Sequence, residues 1–227
     1  MHDKKPIIIH TFTEAEVKAD LEKYCQLALD LAMTAATIIP ADKVYVDKRV
    51  RGKCIIPKCV AYGSSAHCPP HSTDTKEIAE IVSGFQWAVL VKLNVDSELV
   101  GGDDSLVVDD EGKIVPTKKL KKLLNHYRNL SDTVSRIEHQ AFYDGHHLAI
   151  AFAAGSCRSH YCNFKDCEVL KSEPCRFPGR ARPSMESASM NVYRMVAEAG
   201  WEMYPIGTDI NPANVPHATL VGLALIE

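Results

Sequence analysis

Apolar side chains near the start of the chain recur at intervals of three and four residues, at Val17, Leu21, Tyr24, Ala28 and Leu31. This period is typical of a helix with one buried face. Thr13 and Glu16 form a capping-box pattern, which predicts that the helix begins just before this stripe and ends before Pro40. The β-branched and aromatic residues at 43–46 then predict a strand that leads into a cysteine-rich segment.

A second helix and strand follow that segment. Asp74, with Glu77 three residues later, indicates a helix start, and Gly84 indicates its end. Residues 87–93 are mostly apolar and predict a buried strand.

The second half of the chain has the same order of patterns. A long helical stripe comprises Leu120, Leu123, Leu124, Tyr127, Leu130, Val134, Ile137 and Ala141. A strand is predicted at 148–153, followed by a second cysteine-rich segment. Ser184 then indicates the N-cap of a helix with an inward face of Met185, Ala188, Val192 and Ala199. A last strand is predicted at 218–226.

The order helix, strand, cysteine loop, helix, strand therefore occurs twice. We interpret it as an α/β fold, with α+β as the alternative, built from two similar halves in a pseudo-two-fold arrangement. The predicted units are 1–95 with the first cysteine run, 96–116 as a linker or hairpin insertion, and 117–227 with the second run. Within the middle unit, residues 101–104 and a turn at 109–112 favour a linker or an exposed ribbon.

Composition excludes several classes of protein. Of the 227 residues, 46% are hydrophobic and 24% charged, which is typical of a globular chain and excludes intrinsic disorder. The net charge of -3 provides no general attraction to nucleic acid or an anionic membrane. The apolar stretches 87–91 and 148–154 are too short to cross a bilayer, and the first residues lack an extended signal core. We expect a soluble cytoplasmic protein that binds neither nucleic acid nor membranes.

Seven of the eight cysteines fall in two short runs. The first run contains Cys54, Cys59 and Cys68, and the second contains Cys157, Cys162, Cys167 and Cys175. Thiols in a reducing compartment stay free unless they are catalytic, redox-active or bound to metal, so these runs are interpreted as ligand sets.

The second run holds enough thiols to bind either a zinc ion or a 4Fe–4S cube. Its cysteines are separated by four, four and seven residues in one continuous loop. Structural zinc sites usually bring their ligands as two close pairs, so the spacing favours the cube, with zinc as the alternative.

The first run holds three cysteines, and a cube bound there leaves one iron open to a fourth ligand. His67 and His71 flank Cys68 and are candidates for that position. Cys25 lies on the helix face with the apolar stripe and is interpreted as a core residue. We favour structural roles for His146 and His147. His160 is interpreted as a solvent-facing residue or as a hydrogen-bond donor to a metal ligand, and His217 is unassigned.

Positive charge is concentrated around the second run, in Arg158, Arg176, Arg180 and Arg182. These arginines are candidates to dock an acidic redox partner and would raise the reduction potential of a nearby cluster. The alternative is that they cap a helix end or pair with acidic neighbours such as Glu186. The lysines at 118–122 are interpreted as a solvated helix face.

Two blocks carry a family resemblance: RVRGKCIIPKCVAYGSSAHCPP, and GSCRSHYCNFKDCEVLKSEPCRFPGRARPSMES followed by AGW. They resemble the domain-of-unknown-function 2284 family of predicted metal-binding proteins. The resemblance implies metal binding through these cysteines, as iron–sulfur clusters, and implies no reaction.

We therefore expect a cytoplasmic iron–sulfur protein with two 4Fe–4S centres that acts in electron transfer or as a redox accessory. One alternative is an enzyme that uses an open iron on the three-cysteine site as a Lewis acid, with helix N-termini at Asp74 and Ser184 binding anionic groups of the substrate. Another is an interaction module stabilised by zinc. Catalytic residues and oligomeric state are not assigned.

Overall fold

A four-stranded antiparallel sheet forms the centre of the fold in the computed structural model, which describes residues 10–100, 107–108, 114–206 and 210–227. The strands are β1 (Ala35–Pro40), β2 (Trp87–Val95), β3 (Val107–Val108), β4 (Ile114–Val115), β5 (Ile150–Phe152) and β6 (Ala218–Ile226). The sheet has the order β1-β2-β6-β5, and β3 and β4 form a separate antiparallel pair.

Helices cover both faces of this sheet. They are α1 (Glu14–Asp30), α2 (Lys48–Gly52), α3 (Thr75–Ser83), α4 (Lys118–Asp144), α5 (Cys157–His160) and α6 (Val192–Glu198). Side chains alternate between the faces of a strand, so Val89 and Val91 of β2 pack with α1 and α4, whereas Ala88 and Leu90 pack with α3 and α6. The two central strands, β2 and β6, are therefore apolar on both sides.

Close approach of α4 to the sheet depends on Gly222 in β6. A Cβ atom at this position would lie 2.7 Å from Cγ1 of Val134 and 3.2 Å from the carbonyl oxygen of Phe152. A side chain there would force α4 away from the strand, so the glycine permits the tight layer between helix and sheet.

Several predicted elements are confirmed. Helix α1 begins with the expected capping box, in which Thr13 N–H donates to the Glu16 carboxylate at 2.8 Å and Glu16 N–H donates to Thr13 Oγ1 at 3.3 Å. Asp74 caps α3, and Gly84 follows its last turn. The long stripe forms α4, which ends at Gly145 with a left-handed φ of 110°. Strands β2, β5 and β6 also lie where the pattern predicts them.

The strand predicted at 43–46 is wrong. Residues 41–43 form a single 3-10 turn, and Val46 makes only an isolated bridge to Met190. The strand lies earlier, as β1, because α1 ends at Asp30 and the left-handed Ala32 reverses the chain, which frees residues 35–40 to pair with β2.

The helix predicted from Ser184 is also wrong. Ser184 Oγ accepts a hydrogen bond from Ser187 N–H at 3.1 Å within a series of turns, and the left-handed Ser189 (φ 64°) interrupts helical geometry. Helix α6 begins only after Asn191, whose side chain accepts from Arg194 N–H at 3.2 Å. Ser184 therefore provides no helix N-terminus for an anion. At α3, the carboxylate of Asp74 itself accepts from the first amides, at 2.8 Å and 3.0 Å.

Mixed helices and a small sheet confirm the α/β interpretation, although every strand pair in the sheet is antiparallel. Each half contributes a helix, a strand, a cysteine loop, a helix and a strand, and the two halves meet at β2 and β6.

The pseudo-two-fold relation and the boundaries 1–95, 96–116 and 117–227 stay predictions. The glycine-rich residues 101–104 and the turn at 109–112 lie outside the described residues, although β3 and β4 flank that turn and pair with each other.

No helix in the described part of the chain is both long enough and apolar enough to span a membrane.

Candidate metal centre

The second cysteine run lies in a loop whose two ends are held together at the sheet edge. Ala153 N–H donates to the carbonyl oxygen of Pro183 at 2.8 Å, and Met185 N–H donates to the carbonyl oxygen of Ala153 at 2.9 Å. Between these points the chain makes the single turn of α5 and a 3-10 turn at Glu168–Lys171. The loop therefore leaves the sheet and returns to it at one place.

All four cysteines of this loop line one narrow cavity: Cys157, Cys162, Cys167 and Cys175. Burial raises the pKa of the Cys157 thiol to about 12, and the neighbouring thiols add to this effect. Phe177 N–H donates to Sγ of Cys175 at 3.4 Å. Arg176 also lines the cavity, where the Cys162 thiol raises the pKa of its guanidinium. Sulfur donors, an amide and a cation thus converge on one space.

Helix α4 anchors this loop. The Asp132 carboxylate accepts from Tyr161 Oη at 2.6 Å and from Arg180 Nε at 2.7 Å. Arg128 Nε donates to the carbonyl oxygen of His160 at 2.8 Å. These contacts fix residues on both sides of the cysteines to one rigid helix.

The first cysteine run surrounds a larger cavity of about 250 Å³. Cys54, Cys59 and Cys68 all line it. Cys59 Sγ accepts from Ala61 N–H at 3.4 Å, and burial, followed by the other two thiols, raises the pKa of Cys54. Part of the remaining lining is polar: Tyr127, Ser156, Ser184, Glu186 and Ser187.

Arg51 ties this first loop to the segment that carries Glu186. Its guanidinium donates to Ser72 Oγ at 2.9 Å, to the carbonyl oxygen of Thr73 at 2.8 Å and to that of Ser187 at 3.4 Å. Ser72 Oγ also donates to the Ser187 carbonyl oxygen, at 3.3 Å. The thiols and Glu186 are therefore held on one framework, although they are distant in sequence.

The two cysteine runs contact each other. The Cys68 thiol donates to Ser156 Oγ at 3.5 Å, directly before the first cysteine of the second run. Ser65 of the first loop lines the second cavity, and the Cys68 thiol contributes to the raised pKa of Cys157. The two cavities are thus neighbours, which the sequence did not indicate.

Of the other candidate ligands, Cys25 packs against the core from α1, where burial raises the pKa of its thiol to about 11. His67 is largely buried, and burial, followed by the charge of Arg182, lowers its pKa, whereas His71 is exposed. His146 lies against Asp20, with 3.3 Å between Nε2 and Oδ2, and His147 is exposed. None of these side chains borders either cysteine cavity in the described structure.

His160 is buried, so its interpretation as a solvent-facing group is wrong. Its ring stacks on Tyr127, with centroids 6.2 Å apart, and packs on Tyr161. Within the described residues neither ring nitrogen has a hydrogen-bond partner, and burial lowers its pKa to about 4. His217 packs against Tyr204 near the start of β6.

Three of the four arginines pair with acidic side chains. The pairs are Arg176 with Glu168, Arg180 with Asp132, and Arg182 with Glu138. Arg158 donates from Nε to the carbonyl oxygen of Lys165 at 3.0 Å. Pairing with acidic neighbours was therefore a sound alternative for these three, but Glu186 is not among their partners.

Two cavity residues were missed by sequence reasoning. Glu186 was considered only as a partner for arginine, although it lies in the PSMES block that carries the family resemblance. Tyr127 was assigned only to the stripe of α4. Nothing in the local pattern of either residue indicates a shared cavity with cysteines from a distant loop.

The donor set of both cavities suits soft, thiolate-binding centres such as iron–sulfur clusters or zinc. No group of three or more His, Cys, Asp or Glu side chains in residues 10–100, 107–108, 114–206 and 210–227 is already arranged to hold a single metal ion.

Residues 37–226 match the DUF2284 family, described as predicted metal-binding proteins. The chain belongs to this family. The DUF2284 match includes all seven clustered cysteines and Glu186, and it excludes Cys25. No curated protein and no solved structure matches the chain significantly.

Proposed function

We propose that this DUF2284 protein is an iron–sulfur protein with two 4Fe–4S centres, acting in electron transfer or as a redox accessory in the reducing cytoplasm. Cys157, Cys162, Cys167 and Cys175 would hold one centre, and Cys54, Cys59 and Cys68 would hold the other. The observation that carries this proposal is the single narrow cavity lined by all four thiols of the second run.

Contacts to the sulfur atoms support the proposal. Cys175 and Cys59 each accept a backbone N–H. Such hydrogen bonds stabilise negative charge on ligating sulfur and raise the reduction potential of a cluster. Arg176, beside Cys162 and Cys167, acts in the same direction. Bound 4Fe–4S centres would supply reversible one-electron chemistry, while these residues stabilise the added negative charge.

The neighbouring cavities support electron exchange between two centres. The Cys68 to Ser156 contact keeps the ligand loops adjacent. We propose that a redox partner docks on the second loop, at the side that carries Arg158, Arg176, Arg180 and Arg182. Because Glu168, Asp132 and Glu138 neutralise part of this charge, we expect the docking to be weak and strongly dependent on salt.

Iron and acid-labile sulfide analysis, with visible absorbance, on protein purified without oxygen tests the two-centre proposal. We expect a brown protein with about eight irons, because each cube holds four. Cys162→Ser should reduce the count to about four, whereas Cys25→Ser should leave it unchanged. A colourless protein that contains zinc would contradict the proposal and favour the interaction module. A redox titration without a reversible couple would contradict electron transfer.

The first cavity favours a second candidate, an enzyme whose three-thiolate centre acts as a Lewis acid. Its volume of about 250 Å³ leaves space beside the thiols, and that space is bordered by hydroxyl groups and a carboxylate. The electron paramagnetic resonance (EPR) spectrum of the reduced protein tests this candidate. If a small thiol added as a probe changes the signal of the first centre alone, one iron accepts exogenous ligands. An unchanged spectrum would contradict the candidate.

A further inference from the structure

We propose that Glu186 is the fourth protein ligand of the first metal centre, so that this site consists of three thiolates and one carboxylate. The inference rests on the proposed centre at Cys54, Cys59 and Cys68 and names the residue that occupies its remaining position.

Position is the first argument. Glu186 lines the same cavity as all three thiols, and its charge acts on Cys54. The Arg51 guanidinium donates hydrogen bonds both to the carbonyl oxygen of Ser187, next to Glu186, and to the loop that carries the cysteines. These bonds hold Glu186 and the three thiols around the same cavity.

An unpaired carboxylate is the second argument. Glu186 is exposed and lines the cavity, and within the described residues it has no ion-pair partner. Arg180 and Arg182, which precede it in the chain, pair with Asp132 and Glu138. No side-chain cation of the described structure therefore competes with a metal for this carboxylate.

The alternative protein ligands are less well placed. His71 is exposed, and neither His71 nor His67 borders the first cavity as described. The polar side chains that do border it, apart from the thiols and Glu186, are hydroxyl groups. A carboxyl group loses its proton at a much lower pH than a hydroxyl group does, so among these groups the carboxylate is the better donor to iron.

A carboxylate ligand gives the centre a distinctive property. Oxygen is a harder donor than sulfur, so the iron bound by Glu186 should differ electronically from its three thiolate-bound neighbours. The iron bound by Glu186 should also exchange more readily than the other three. A Lewis-acid reaction at this site would require the displacement of Glu186.

Mössbauer spectroscopy of ⁵⁷Fe-enriched protein, combined with iron counts, tests the assignment. In the wild type we expect one iron in eight to show the parameters of mixed sulfur and oxygen ligation. In Glu186→Gln this signal should disappear, and iron should be lost to a chelator at least roughly tenfold faster, by analogy with the losses typical of weakened metal sites. Glu173→Gln is the matched control, because it removes an exposed carboxylate from the second cysteine loop.

The outcomes separate the two proposals. If the wild type holds about four irons and Cys54→Ser does not change that number, the first centre itself is absent and the proposed function fails at this site. If the wild type holds about eight irons and Glu186→Gln keeps the distinct signal and the rate of iron loss, Glu186 is not a ligand. Circular dichroism and melting temperature verify that the variants are folded.

Discussion

Gly155 connects β5 to the second cysteine run and has a left-handed φ of 68°. A Cβ atom at this position would lie 2.9 Å from both Cδ1 and Cε1 of Tyr127. The Tyr127 ring lines the first cavity and stacks on His160 of the second loop. A residue without a side chain therefore lets one aromatic ring pack between the two cysteine loops.

Gly155→Ala should lower the free energy of unfolding by roughly 1–3 kcal/mol, because both the backbone conformation and the contact with Tyr127 oppose a methyl group. Urea denaturation measures this loss. Gly52→Ala is the control, since no atom lies within 4 Å of the added carbon and its φ is not left-handed. Equal midpoints for the two variants would contradict the explanation.

Residue types predicted that the clustered cysteines are metal ligands, because clustered thiols have few other uses if the compartment is reducing. The structure brings each run around one cavity, and the ligand sets stay a prediction. The same reasoning did not find that Glu186 lines the first cavity. A glutamate in a polar turn looks like an ordinary surface residue, and its cavity forms only when segments around residues 54–68 and 184–187 meet. Such long-range convergence is a property of the fold and leaves no local pattern.

Asp132 is the main anchor between α4 and the second cysteine loop. Burial opposes ionisation of this carboxyl, but hydrogen bonds from Arg180 and Tyr161 outweigh burial and lower its pKa below the ordinary value. A carboxyl with a lowered pKa in the folded state stabilises the protein above its unfolded pKa. That contribution is lost as the pH falls through the folded pKa.

Asp132→Asn should therefore destabilise the protein by roughly 1–3 kcal/mol at pH 7, since it removes a charged acceptor. The difference from wild type should begin to shrink as the pH falls below the ordinary aspartate pKa of about 3.9, and it should be lost as the pH falls through the lower pKa of folded Asp132. Urea denaturation at several pH values measures both effects. Asp42→Asn, at an exposed position, should change little at any pH. A difference for Asp132→Asn that is independent of pH would show that the carboxylate charge is unimportant.

Elements with long periodic patterns were predicted well, and short ones were not. The stripe of α4 and the apolar runs of β2 and β6 repeat one pattern over many residues, so local signals and burial agree. Helix α6 was predicted too long, because Ser189 adopts a left-handed conformation that serine rarely takes. Tertiary contacts, such as the Val46 to Met190 bridge, determine these short segments.

The hydrophobic core is built separately from the cysteine loops. Its two clusters lie on the two faces of the sheet, and the seven clustered cysteines belong to neither of them among the described residues. The second cavity lies in a loop beyond the sheet edge, held mainly by hydrogen bonds and turns. The first cavity lies between its loop and the core, where it borders Val192, Leu220 and Val221.

Metal removal should therefore loosen the loops and leave the sheet folded. After treatment with a chelator and an oxidant of the proposed clusters, we expect far-ultraviolet circular dichroism to keep most of its amplitude. Limited proteolysis should then cut first within residues 47–74 and 155–184. The loaded protein, under the same protease, is the control. Loss of all secondary structure on metal removal would contradict this prediction and favour a protein that depends on metal for folding.

The strand order also has a consequence for synthesis on the ribosome. Within the described sheet β5 pairs only with β6, which follows it after the whole second cysteine run. At roughly 5–20 residues per second, translation of that interval lasts on the order of ten seconds. During this time the nascent thiols of the second run exist without a completed sheet beneath them. We therefore expect the second loop to reach its folded geometry, and to bind metal, only after β6 has left the ribosome.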